Sequence, residues 1–196
     1  MMAITSRRPR SDALRNRERL LEVAIRAFTA QGLSVTPVSI AKEAGVGVGT
    51  LYRHFPTREA LVDAAYRHEL SRLCAAAPEL VEAHSAARAT RLWMDRFIDY
   101  AAAKRGMADA LLTVIASGAD PHAESRALLT GVVATLLEAG AGDGTLRIDL
   151  SPDDVLLAMS GVAQATGTYG TREQAGRLLD LVMDGLTRGA ADAGGR

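Results

Sequence analysis

Helical periodicity runs through nearly the whole chain, and no stretch alternates apolar and polar residues as a half-buried strand would. Ala, Leu and Arg, all good helix formers, are abundant. Aromatic residues make up only 4%, and β-branched clusters are few, so little in the chain favours a sheet. The pattern predicts an all-α protein. Apolar residues at 48% against 23% charged place it among globular rather than disordered chains. A length of 196 residues suffices to bury a core in one ordinary domain or two small ones.

The first helix is expected from about Asp12 to Gln31, with Leu21, Ala24, Ile25 and Phe28 on one face and Gly32 as its stop. Thr36 can cap a second helix, since Pro37 suits the first helical position, and Gly45 ends it. A short third helix spans Val48 to His54, and Thr57 caps a fourth that runs through Leu61, Ala65 and Leu70. Pro78 predicts a break. Further helices are expected at 86–104, 107–117, 122–139, 152–168 and 171–189. Asp120-Pro121 and the stretch from Gly140 to Ser151 read as loops, and the tail from Ala190 as frayed. Ser151-Pro152-Asp153-Asp154 is a helix start, with carboxylates at the positive end of the dipole.

One cysteine, Cys74, excludes a disulfide framework or a cysteine metal cluster within one chain, and a small packing residue is the default reading. His68, His84 and His122 lack metal-ligand spacing and read as structural or solvated. No apolar run approaches a membrane span, and the basic N-terminus is not followed by the apolar stretch of a secretory signal, so a cytoplasmic protein is expected. The zero net charge hides an asymmetry. Residues 1–68 carry 11 Lys/Arg against 6 Asp/Glu, and residues 69–196 carry 12 against 17. A basic head on an acidic body fits a chain whose head alone meets a polyanion, although charge by itself leaves chance asymmetry open.

The most informative stretch is Ile40 to Phe55, IAKEAGVGVGTLYRHF. A short helix, a tight turn at glycine and a second short helix make a helix-turn-helix. Ala41 is small where two helices must approach, and Gly45 can take the positive φ of the turn. Val46, Leu51 and Phe55 are spaced to bury one side of the second helix. Thr50, Tyr52, Arg53 and His54 are left to line its other faces. Gly45, Gly47 and Gly49 superficially suggest a phosphate-cradling loop. The dinucleotide pattern fails, because Thr50 and Tyr52 stand where its glycine would be and a helix, not a strand, precedes the loop.

The run from Ile40 to Leu61, centred on AGVGVGTLYRHFPTREAL, resembles the DNA-binding domain of the TetR family of regulators, and the likeness extends from about Leu20 to Leu70. The phrases KRGMADAL, PDDVLLAMSGV and LLDLVMDGL also look like a TetR-type regulatory domain. The resemblance implies that the Val48–His54 helix enters the major groove. Thr36, Gly47, Val48, Thr50, Tyr52, Arg53, His54 and Arg58 are the DNA-binding candidates it gives. Arg58 stands where the family usually has a phosphate-binding lysine, and a cation at a helix N-terminus suits that task. Arg7, Arg8 and Arg10 form a basic arm that could reach phosphates or a minor groove. The chain departs from the family at Gly47, often serine, and at Val35, where a phosphate-touching Thr or Ser is usual, leaving Thr36 as the neighbouring candidate.

The resulting organisation is a flexible basic arm at 1–11, a helix-turn-helix domain at 12–68, a helical ligand-binding and dimerisation domain at 69–189 and a flexible tail at 190–196. Trp93, Phe97, Tyr100, Met107 and Leu111 fit either a bundle core or an effector pocket between helices, with Gln164, and also Thr166 and Thr168, as polar groups for it. The last helix carries an apolar arc too wide for one-sided burial. Leu178, Leu179, Val182, Met183 and Leu186, with Leu156 and Met159 of the helix before it, are the expected homodimer interface, and the family likeness implies the same two helices. The implied function is a dimeric repressor on a near-palindromic double-stranded operator, released by a small-molecule effector. No catalytic constellation, cofactor loop or metal set stands out, so neither an enzyme nor a cofactor is expected. A purely architectural DNA binder would need less chain than the C-terminal part supplies.

Overall fold

A computed structural model describes residues 8–116 and 121–187. The expected Arg7 contact and the tail from Ala190 lie outside these residues, as do the side chains of Arg8, Arg10 and His122. Among the described residues every regular element is helical: α1 (Arg8–Gln31), a 3-10 turn (Gly32–Ser34), α2 (Pro37–Glu43), α3 (Val48–His54), α4 (Arg58–Ala83), α5 (Ala86–Gly106), α6 (Ala108–Ala116), α7 (Pro121–Asp143), α8 (Pro152–Tyr169) and α9 (Arg172–Thr187). The all-α expectation holds.

These helices form two compact units. The first comprises residues 8–69 together with 103–116, that is, α1 to α3, the start of α4, the last turn of α5 and α6. Its core is the apolar face of α1, with Leu20, Leu21, Ala24 and Phe28 essentially inaccessible, joined by Ile40 of α2, Leu51 of α3 and Leu61 and Tyr66 of α4. Met107 and Leu111 are buried in this same unit, so α6, on the C-terminal side of the sequence, belongs by packing to the N-terminal head. Lys104 lies over the Tyr66 ring, 5.8 Å from its centroid, and joins the end of α5 to α4.

The second unit comprises residues 70–102 and 121–187, in which α7 packs on α8 and α8 on α9. Trp93 is fully buried on α5, and its indole N–H donates to the Leu73 carbonyl on α4 at 2.9 Å. An ion network holds α5 to α9. Arg91 binds Asp95 and Asp180, each at 2.7 Å, and Arg172 binds Asp95 at 3.1 Å and Asp99 at 3.0 Å. Burial alone would raise the Asp95 carboxyl, but hydrogen bonds from Arg91 and Arg172 outweigh it and hold Asp95 below the usual carboxylate range.

Three local expectations are corrected. α1 begins at Arg8, inside the arm expected at 1–11. Pro78 does not break the chain: α4 continues to Ala83. The ring sits on the exposed side, while Leu73, Ala76, Ala77 and Leu80 bury the opposite side of the same turns. That burial outweighs the one hydrogen bond that a proline cannot donate. The loop expected from Gly140 is also shorter, because α7 runs to Asp143. Gly140 is a packing residue, since a Cβ there would fall 2.4 Å from the Leu146 side chain folding back over it.

That short loop is a staple. Gly144 takes a φ of 73° and reverses the chain. The Asp143 carboxylate accepts from the Ala86 N–H at 2.9 Å, and the Thr145 hydroxyl accepts from the Ala87 N–H at 3.2 Å, so the first turn of α5 is capped from 57 residues away. Arg147 donates its backbone N–H to the Leu186 carbonyl at 3.0 Å and so occupies the last turn of α9. The hydrogen bonds from Thr145 and Ala86 depress the Asp143 carboxyl. Asp143→Ala is expected to lower stability by about 0.5–1 kcal/mol, the low end of capping losses because the carboxylate is exposed and screened. A group whose pKa is depressed by folding stabilises fully above its unfolded value and loses that contribution as pH falls through its folded value. Thermal melts should therefore show the full gap between variant and wild type at neutral pH and a shrinking gap on acidification below about pH 4.

Candidate nucleic-acid interface

The α2–turn–α3 segment is built by local chemistry. The Thr36 hydroxyl accepts from the Ser39 N–H at 3.1 Å and caps α2, with Pro37 next. At the other end Gly45 takes a φ of 67°, its N–H donates to Lys42 at 3.1 Å, and the Val46 N–H donates to Ala41 at 3.0 Å. This pair of bonds is a Schellman motif, and it fixes the direction in which the chain leaves α2. The carbonyl of Gly47 then accepts from Thr50 at 2.8 Å and Leu51 at 3.2 Å, starting α3 without a side-chain cap.

Two anchors set the roll of α3. Leu51 is 1% exposed and Phe55 2%. Each buried anchor of this size stabilises by about 1.5–3 kcal/mol, and Arg17 of α1 lies over the Phe55 ring at 5.5 Å from its centroid. Val46, the third expected anchor, is only half-buried. With Leu51 and Phe55 inward, Gly47, Gly49, Tyr52 and Arg53 are exposed, and Val48, Thr50 and His54 are half-buried. Tyr52 is 44% exposed, which is unusual for a ring beside so apolar a core. Gly47, lacking a side chain, leaves the Thr50 hydroxyl oxygen at ordinary contact distance, 3.9 Å from where a Cβ would stand.

The remaining candidates flank this helix. Thr36 is exposed, although its hydroxyl is engaged as the α2 cap. Val35 is buried and contributes to packing. Arg58 is the first residue of α4, in a turn capped by the Thr57 hydroxyl, which accepts from Ala60 at 3.1 Å. It is half-buried, and its guanidinium lies over the Phe28 ring at 6.0 Å. The reading of the sequence missed Ser39 and Lys42, exposed on α2, and the Arg26–Glu43 ion pair (3.2 Å) that clips α1 to α2. Only the i, i+3 pattern on α2 around Ile40 would have placed Ser39 and Lys42 outward.

The other site expectations need correction. Gln164 is exposed on α8 and does not face the interior of its unit, because Ala163 and Thr166 occupy the buried face. Thr166 is buried, but its hydroxyl donates to its own helix at the Val162 carbonyl, 2.7 Å away. Trp93, Phe97 and Tyr100 are buried in a row along α5, with ring centroids 6.0 and 6.1 Å apart, whereas Met107 and Leu111 belong to the other unit. Of the expected interface, Leu156, Met159, Leu179, Met183 and Leu186 are buried within the chain itself, and Leu178 and Val182 are half-buried. Leu157 on α8 and Leu181 on α9, which were not among the expected interface residues, are uncovered, 62% and 66% exposed, as is Tyr169 at the end of α8. On α8, Leu157, Gly161 and Ala165 recur every four residues opposite the buried Val155, Met159 and Ala163, a two-faced pattern already present in the sequence. Burial pushes the Cys74 thiol up, away from the reactive thiolate. Among the described residues no group of three or more His, Cys, Asp or Glu is placed to hold a metal ion, and no helix is long and apolar enough to cross a membrane.

Comparison with known proteins agrees with this geometry. Residues 20–65 match the family model described as bacterial regulatory proteins, tetR family, and residues 85–188 match the one described as transcriptional regulator SbtR-like, C-terminal domain. A TetR transcriptional regulator from Streptomyces coelicolor is 50% identical, with a TM-score of 0.82 over 87% of this chain and 98% of that one. A TetR transcription regulatory protein from Mycobacterium vanbaalenii is 34% identical, with a TM-score of 0.75 over 91% of this chain and 98% of that one. An HTH-type transcriptional regulator of Staphylococcus aureus is 45% identical over 53 residues, 26% of this chain, and the match spans 29% of that relative's length. The helix-turn-helix head and the C-terminal match together make this chain a member of the TetR family of DNA-binding transcriptional regulators, not an enzyme.

Proposed function

We propose that the protein is a repressor that binds a near-palindromic operator as a homodimer and leaves it when a small-molecule effector binds. The observation that carries the reading is the outer face of α3, where Tyr52 and Arg53 project from a helix whose roll is locked by Leu51 and Phe55. A helix of this size fits the major groove, where Thr50, Tyr52 and Arg53 meet base edges and phosphates. His54 and Arg58, beside it, supply phosphate contacts that set register. Val48, Gly47 and Thr36 complete the surface presented to the duplex.

Dimerisation is supported by the uncovered faces of α8 and α9. Leu157 and Leu181 are large apolar side chains left in water, flanked by Ala158, Gly161 and Ala165 on α8 and Gly185 on α9, small residues that allow close approach. A twofold pair would bring two heads to half-sites about one helical turn, ~34 Å, apart. The aromatic row of α5 supports an effector site in the second unit. An effector that prefers a state with mismatched heads shifts the equilibrium by its differential affinity, about 1–3 kcal/mol in typical cases. α4, which carries Arg58 at its start and runs on into the second unit, is the proposed lever.

Selection of the purified protein on a random duplex library at near-physiological salt should enrich a near-palindromic site. Tyr52→Ala, at an exposed position, should keep the melting temperature and lose roughly 10- to 100-fold in affinity for that site. Enrichment without twofold symmetry, or an unaffected Tyr52→Ala variant, would overturn the dimeric α3 reading. Leu157→Glu with Leu181→Glu should convert the protein to monomers in sedimentation velocity and abolish full-site binding, with helical content retained. A dimer that persists in this variant would place the interface elsewhere.

A further inference from the structure

Three glycines alternate from the turn into α3, and the chain itself accounts for two of them. Gly45 takes a φ of 67° to leave α2, and Gly47 is the N-cap of α3, a position that suits glycine. Gly49 is different. It lies inside α3, its φ is not positive, and a Cβ there would meet nothing within 4 Å. Glycine in a helix loses more backbone entropy than alanine. α3 has seven residues and owes its existence to packing, so Gly49 weakens the element that most needs support. Among the described residues nothing packs against it in return.

Open surroundings alone do not mark a contact, because Gly131 on α7 is equally free. Position separates the two. Gly49, Tyr52 and Arg53 are spaced i, i+3, i+4, which puts them on one face of α3, and all three are exposed. The anchors Leu51 and Phe55 are buried on the opposite side. The face that carries Tyr52 and Arg53 therefore begins with bare backbone. A helix entering the major groove stops where its first side chain meets the duplex, and at a glycine the backbone itself can make that contact. We infer that Gly49 is the point of closest approach between α3 and the operator. Its missing side chain sets how deeply the helix sits, and thereby which base edges Tyr52 and Arg53 reach.

This inference rests on the proposed placement of α3 in the major groove. The test compares wild type with Gly49→Ala, Gly49→Leu, Tyr52→Ala and a control, Gly131→Ala, each in the whole chain. Every protein is melted, then titrated against the operator selected by the wild type and against a duplex lacking that site at low salt. Both Gly49 variants should melt at or above the wild-type temperature, since alanine and leucine are better helix formers and the added Cβ has no neighbour. Operator affinity should nevertheless fall roughly tenfold for alanine and about 100-fold or more for leucine. Affinity for the site-free duplex, which depends on charge, should stay within about twofold of wild type. Gly131→Ala should melt no lower and bind as wild type does. Unchanged operator affinity in Gly49→Ala overturns the inference, whatever leucine does. So does a loss that comes with a lower melting temperature or extends equally to the site-free duplex, since either marks damage to the head. Tyr52→Ala separates the two readings: if it loses operator affinity and Gly49→Ala does not, α3 still reads DNA and only the role of Gly49 falls. A wild type that selects no operator, or variants at both positions that bind normally, would refute the proposed function as well.

Discussion

The burial of Leu51 and Phe55 beneath α3 is the contact on which the rest of the reading head depends. A seven-residue helix has too few hydrogen bonds to persist in water, so its existence and its roll both come from packing. With those two side chains inward, the 3.6-residue repeat leaves Tyr52 and Arg53 outward. The Schellman turn at Gly45 fixes the direction of the segment and the two anchors fix its rotation. Phe55 is further held by Arg17 of α1, so a 24-residue helix of the head braces a seven-residue one.

The second unit solves a different problem. Its helices are long, and their ends need partners. Asp143 and Thr145 cap α5, Arg147 reaches the last turn of α9, and the Arg91–Asp95–Arg172 network joins α5 to α9 again. Both ties are polar and directional, which suits a unit whose apolar surface is partly left uncovered at Leu157 and Leu181.

The head was highly legible in the sequence, because its signals are local. Thr36-Pro37, Gly45 and Thr57 are cap and turn residues that act within four positions of themselves, and each does what its chemistry predicts. The misreadings arose where a distant partner decides. Pro78 stays helical because tertiary burial on the other side of α4 outweighs a local preference. Gly140 is a place for Leu146 to pack, and nothing within α7 itself announces that. On α8 and α9 periodicity marked apolar positions without saying which face the chain would cover. Leu156, Met159, Leu179, Met183 and Leu186 went to the intramolecular core, and Leu157 and Leu181 were left out. The assignment of α6 to the head unit was invisible for the same reason, since α6 packs on the 3-10 turn Gly32–Ser34, far from it in sequence.

The most direct test of the account is amide hydrogen exchange of the protein with and without its selected operator. The account predicts added protection concentrated in the segment from Gly47 to Arg58, including α3 and the first residue of α4, with the outward faces of α8 and α9 unchanged by DNA. Operator-bound protein whose α3 amides exchange as fast as in the free protein would contradict it and move DNA recognition to another part of the chain.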